Sequence, residues 1–175
     1  MKRTLEILTV SLVLATTTTF AQTALKEYKA GHIYYVSLPD YMGRTAGIND
    51  AATMQYKSEV KEVYGFIIED SKEELQLVEL NYPSINDFYD AFIKDFLKDQ
   101  EKRNISTPQY QKKGEVNFVE CDASYYDKES KIEIYYLVGV VETKSSYYEV
   151  ISWAAATNKD KFKPVFQKIL YSLRD

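Results

Sequence analysis

Two stretches of this chain carry apolar residues at helical spacing, and each needs a broad apolar surface to cover it. Within residues 84–102, Ile85, Phe88, Tyr89, Phe92, Ile93, Phe96 and Leu97 fall on one stripe. Near the C-terminus Phe162, Val165, Phe166, Ile169, Leu170 and Leu173 form a second. Ser84 and Asp87, directly after Pro83, stand at the spacing of a capping box and mark the start of the first helix. Pro164 belongs in a first helical turn, so the second helix is expected to begin close to it. Asp87, Asp90, Asp95 and Asp99 lie on or beside the polar side of the first helix. Both stripes therefore read as core faces, not as membrane or cofactor surfaces.

A sheet supplies the surface that such helices need. Residues 32–38 are rich in Tyr, Ile and Val and end at Pro39. Ala52, Met54 and Tyr56 alternate with Thr53, Gln55 and Lys57, the pattern of a half-buried strand. Residues 63–69 and 134–141 are apolar on both sides, as central strands covered on two faces are. Residues 116–125 and 147–156 complete the set, and polar turns at 127–131 and 143–146 join hairpins. For residues 71–80 the Ser71 and Glu74 spacing favours a short helix, with a strand as the alternative. The order is three strands, a helical excursion, three strands and a final helix. Hairpin-length links then imply an α+β fold, a central mainly antiparallel sheet of about six strands flanked by two long helices. No internal repeat or Pro/Gly linker interrupts residues 22–175, which read as a single domain.

The run Ile33-Tyr34-Tyr35-Val36-Ser37-Leu38-Pro39-Asp40 resembles the opening strand and Leu-Pro turn of the PsbP/Mog-type α/β/α sandwich. Tyr147-Tyr148-Glu149-Val150-Ile151-Ser152-Trp153, followed by residues 162–173, resembles that family's last strand and helix. The resemblance implies an accessory, scaffold or binding role and brings no catalytic residues with it.

The N-terminus reads as an export leader. Lys2 and Arg3 precede an apolar run from Ile7 to Ala15, and Thr19-Phe20-Ala21 places small residues where a signal peptidase reads. Cleavage between Ala21 and Gln22 is expected, and a periplasmic or secreted location follows. The apolar run is too short for the roughly twenty residues of a membrane span. The alternative, a buried N-terminal helix, draws on Glu6. A lipid anchor requires a cysteine at the new N-terminus, and the only cysteine is Cys121. Leader removal leaves 20 basic and 25 acidic side chains, a formal charge of −5. An acidic chain without Lys/Arg clusters is a poor partner for nucleic acid.

Catalytic chemistry finds little purchase. His32 is the only imidazole and reads as a partly exposed strand residue. Cys121 shares an alternating face with Val119 and Ala123 and reads as an inert core thiol. One Cys and one His cannot build a standard zinc site. Glu69-Asp70 and Asp122, Asp127 and Glu129 lack calcium-loop spacing and read as solvated turns. The glycines are scattered, so no phosphate loop is present. No catalytic, metal-ligating or cofactor-binding residue is assigned, and no cofactor is expected.

Tyrosine is the one excess. Four doublets, Tyr34-Tyr35, Tyr125-Tyr126, Tyr135-Tyr136 and Tyr147-Tyr148, each place one ring on either face of a strand. Tyr35, Tyr126, Tyr135 and Tyr148 are the candidates for an outward aromatic surface suited to protein or sugar contact. Coverage of both sheet faces by helices, which would bury the rings, is the favoured alternative. The expected function is an exported, non-enzymatic binding or accessory protein, immunity-like or inhibitor-like, whose partner is another exported protein. A small-ligand or glycan binder using the tyrosine face is the alternative. A carboxylate hydrolase would need two facing acids in one cleft.

Overall fold

The computed structural model describes residues 24–31 and 33–175. The leader, its cleavage point at Ala21 and Gln22, and His32 lie outside the described residues. The elements run β1 (Leu25–Ala30), β2 (Tyr34–Pro39), β3 (Gly43–Arg44), β4 (Met54–Ser58), β5 (Val63–Ser71), α1 (Lys72–Leu77) and α2 (Ile85–Asp95). They continue with β6 (Asn104–Ile105), β7 (Gln109–Lys113), β8 (Val116–Asp127), β9 (Ile132–Glu142), β10 (Ser146–Ala155), a 3-10 turn (Ala156–Asn158) and α3 (Lys159–Leu170).

The long strands pair as the hairpin links imply, all antiparallel, in the order β3-β4-β5-β10-β9-β8-β6, with β7 on the same outer edge of β8 as β6. Among the described residues this sheet has eight strands, not six. Three edge strands, β3, β6 and β7, are additional, and the longest, β7, Gln-Tyr-Gln-Lys-Lys, is exposed at every position and carries no apolar alternation. Its lysines suit an edge, where charge discourages further strand addition. The opening strand β2 is not in this sheet. It pairs with β1 as a separate two-stranded hairpin laid across one face.

Two cores sandwich the large sheet. On one face α3 and the β1-β2 hairpin bury Tyr34, Val36, Leu38, Phe162, Phe166, Ile169, Leu170 and Leu173 against Ile67, Leu137, Val141 and Val150. On the other, α2 sets Ile85, Phe88 and Tyr89 on Val119, Cys121, Val138, Val140 and Ile151. The α/β/α layering is therefore present, with the hairpin sharing one layer.

The helices are shorter or placed differently than the stripes imply. Ser84 caps α2, accepting from the Asp87 amide at 3.4 Å and donating to Asp87 Oδ2 at 2.6 Å. The helix stops at Asp95, well before residue 102, because Phe96 turns extended and Leu97 takes a positive φ. Arg103 folds back to donate to the Ile93 and Phe96 carbonyls at 2.6 and 2.8 Å, which satisfies orphan acceptors at that end. Conversely, α3 starts at Lys159, five residues before Pro164, which sits inside the helix. The missing donor there is overridden by burial of Phe162, Phe166, Ile169 and Leu170. Residues 71–80 hold the short helix α1, with Ser71 at its cap.

Candidate functional site

Strand length and helix length do not match, and the mismatch leaves one sheet face partly open. β9 has eleven residues and spans about 37 Å, whereas α2, also eleven residues, spans about 16 Å. α2 covers only one half of the face. The other half carries Tyr64, Trp153, Tyr136 and Tyr125, one from each of β5, β10, β9 and β8, all half-buried. Register places Trp153 directly opposite Tyr64 on one side and Tyr136 on the other. The rings stack in series with centroids 5.6, 5.7 and 6.0 Å apart and planes 22°, 29° and 27° apart. Phe66 meets Trp153 edge-on at 5.9 Å, and Phe96, just past α2, meets Tyr136 edge-on at 5.5 Å. Each such pair contributes about 0.5–1.5 kcal/mol beyond area burial, so the strip is held as one unit.

A cleft opens at the opposite end of α2. α1 buries no residue of its own, and its last residue Leu77 is exposed together with Val78 and Leu80 just after it. Beneath this segment lie two hollows that share Leu75, Leu80 and Tyr82 as walls. The first, about 250 Å³, is polar at its base. Lys72 Nζ donates to Glu142 Oε1 and to the Thr143 carbonyl, both at 2.9 Å, and sits 4.7 Å from the Tyr147 ring centroid. Burial raises the Glu142 carboxyl, but donors from Lys72, Asn117 and Tyr147 outweigh it and hold the group below its usual range. The second hollow, about 240 Å³, is walled by Leu75, Leu80, Tyr82, Phe88, Ala91 and Phe92, with Asp70 and Glu149 as its acids. Burial, then the nearby Asp70, pushes Glu149 up to about 7. Asp70 is itself raised by burial and by Glu74.

The four sequence candidates do not meet in one surface. Tyr135 and Tyr148 are buried on the α3 side. There the Tyr135 hydroxyl donates to Asp122 Oδ1 at 2.9 Å, and Tyr148 meets Tyr34 edge-on at 4.9 Å. Tyr35 lies in the β1-β2 hairpin under the Arg174 guanidinium, 4.4 Å from the ring. Tyr126 lies at the end of β8 beside Lys102. The strip instead takes the other partner of two doublets, Tyr125 and Tyr136, with Trp153 and Tyr64. The parity was hidden because β9 and β10 are apolar on both faces. Glu69, Asp70, Asp122 and Asp127, read as turn residues, are strand residues. Asp122 is held by Lys159 and Lys163 at 2.8 and 2.9 Å on the α3 side. Cys121 is buried beneath α2 with Val119 and Ala123.

Asp70 and Glu149 are two acids in one cleft, the minimum that a carboxylate hydrolase requires. Their shared walls are otherwise apolar, with no array of polar side chains to hold a sugar. Among the described residues no cluster of three His, Cys, Asp or Glu is placed to hold a metal ion.

No family model matches the chain, and no curated protein matches it in sequence. Solved structures do match its fold. The solution structure of cyanobacterial PsbP from Synechocystis superposes with a TM-score of 0.64 at 12% identity, covering 92% of this chain and 98% of that one. LpqN of Mycobacterium tuberculosis, described as involved in cell envelope biogenesis, gives 0.57 at 10% identity over 80% and 81%. A protein of unknown function from Pseudomonas aeruginosa, described as a putative regulator, gives 0.52 at 8% identity over 86% and 96%. The chain has a PsbP-like fold.

Proposed function

We propose that this protein is an exported, non-catalytic accessory protein that docks another exported protein through the Tyr64-Trp153-Tyr136-Tyr125 strip. The observation that carries this reading is the strip itself, four rings from four adjacent strands left only partly buried beyond the end of α2. Rigid aromatic side chains, already ordered by their neighbours, lose little entropy on binding and are the residue type that dominates interface energies. The N-terminal sequence, read as an export leader, supports an encounter outside the cytoplasm. The fold shared with LpqN, whose description concerns the cell envelope, supports an envelope setting.

Protein contact is favoured over glycan contact on geometry. Trp153 stacks on both Tyr64 and Tyr136, and Tyr136 on both Trp153 and Tyr125. The inner rings, Trp153 and Tyr136, spend their faces on their neighbours in the strip, whereas a sugar stacks on a free ring face.

The test is affinity purification of the protein from its native envelope, alongside a Tyr64→Lys/Tyr125→Ser variant with an unchanged melting temperature. A partner at comparable abundance that is lost with the variant is the expected result. A partner retained by the variant, or none at all, removes the reading.

A further inference from the structure

The geometry points to a second site in the hollow between α1 and α2, which takes an organic amine with a compact apolar body, its ammonium set against Glu149 and Asp70. This inference is independent of the docking strip and stands or falls separately.

Size sets the first bound on the ligand. A cavity of about 150 Å³ lined by aliphatic and aromatic side chains suffices for benzene. The 240 Å³ here holds a ring with a short amino-alkyl arm. Wall chemistry sets the second. Tyr82, Phe88 and Phe92 supply ring faces and edges, Leu75, Leu80 and Ala91 supply aliphatic contact, and the polar groups converge at one end. A concave, mainly apolar hollow with a few convergent charges is the usual form of a small-molecule site.

Charge sets the third. Glu149 stands in the middle of β10, opposite Ile68 on β5 and Val140 on β9. Asp70 from β5 and Tyr82 from the loop line the hollow with it, Glu74 from α1 acts on Asp70, and Tyr147 stands two residues back on its own face, while α2 contributes Phe88, Ala91 and Phe92. Among the described residues no Lys or Arg forms an ion pair with Glu149 or Asp70, and the nearby Lys72 is engaged by Glu142. An anionic site without a resident cation, walled by aromatic rings, favours a cationic guest through both Coulomb attraction and cation–π contact. The burial that raises Glu149 is consistent with a group poised to exchange a proton for a ligand charge. Entry is by way of α1, which holds no buried residue and so lies at the low-stability end of the molecule.

The experiment is an NMR titration of the protein with phenethylamine and, separately, with its neutral isostere phenethyl alcohol. Saturable shifts confined to Asp70, Tyr82, Phe88, Phe92 and Glu149 are expected with the amine, and binding by the alcohol should be weaker by about tenfold or more. Amine affinity should rise as pH passes upward through about 7, where Glu149 loses its proton. Glu149→Gln, which keeps shape and removes charge, should lose binding by a similar factor while melting no lower than the wild type. Equal binding of amine and alcohol, equal binding by Glu149→Gln, or no saturable shift with up to about 10 mM amine would each overturn the assignment.

Discussion

Replacing Glu149 by Gln should make the protein more stable at neutral pH. Burial, and secondarily the Asp70 charge, raise this carboxyl from an ordinary 4.5 to about 7. Each unit corresponds to about 1.4 kcal/mol, so the deprotonated group destabilises the fold by at most about 3.5 kcal/mol above pH 7. The sign follows from proton binding. Between pH 4.5 and 7 the native state holds a proton that the unfolded chain has released, so stability falls as pH rises through this window. Glu69 and Asp70, also raised by burial, add slope of the same sign. Asp122 and Glu142 act oppositely. Burial raises both, but hydrogen bonds from lysines and other donors win, and their stabilisation is lost on acidification below about pH 4. The difference between wild type and Glu149→Gln isolates the one residue. Urea denaturation at pH 5, 6, 7 and 8 should show near-equal stability at pH 5 and a variant more stable by about 1–3 kcal/mol at pH 8. Parallel curves with no divergence would show that Glu149 is solvated or partnered, and the reasoning about its cleft would fail with it.

Tyr148 and Tyr56 make a matched pair. Among the described residues the buried Tyr148 hydroxyl has no hydrogen-bond partner, and the Ser146 hydroxyl on the same strand face donates to Glu69 at 3.2 Å. Tyr148→Phe should therefore be neutral or stabilising by up to about 1 kcal/mol in thermal melts. Tyr56→Phe, which breaks a buried 2.7 Å contact with Ser152, should cost about 1–2 kcal/mol, and a reversed order would refute the assignment. At Gly65 a Cβ would lie 2.3 Å from the Tyr56 ring and 2.6 Å from the Ile151 carbonyl oxygen. Since backbone cannot yield, Gly65→Ala should cost about 3 kcal/mol or more, read from urea midpoints. Cys121, buried beneath α2 with its thiol raised first by burial, should resist thiol reagents until the protein unfolds, and rapid labelling of native protein would contradict its placement.

The two amphipathic stripes made the layered fold legible, because a sheet must lie beneath apolar helix faces whatever their exact ends. Those ends depended on remote partners. Arg103, eight residues past Asp95, caps α2, and no local signal gives that. β7 was hidden because an exposed edge strand is selected for polarity, and β2 left the main sheet because its pairing with β1 is decided by hairpin closure. The aromatic strip was half legible. The doublets announced that one ring of each pair faces each way, but strands covered on both sides carry no polar marker of parity, so Tyr136 and Tyr125 were indistinguishable from Tyr135 and Tyr126. Glu149 did carry a readable signal. It is a lone acid flanked at two-residue spacing by Tyr147 and Ile151, and alternation alone puts it on their buried face.

Docking through the strip is tested most directly by photo-crosslinking in the native envelope. Benzoylphenylalanine would replace Tyr64, Tyr125 or, as a control on the exposed side of α3, Lys168. One exported protein captured in comparable yield from positions 64 and 125 and absent from position 168 is the expected result. The same adducts from all three positions, or none from the strip, would contradict it.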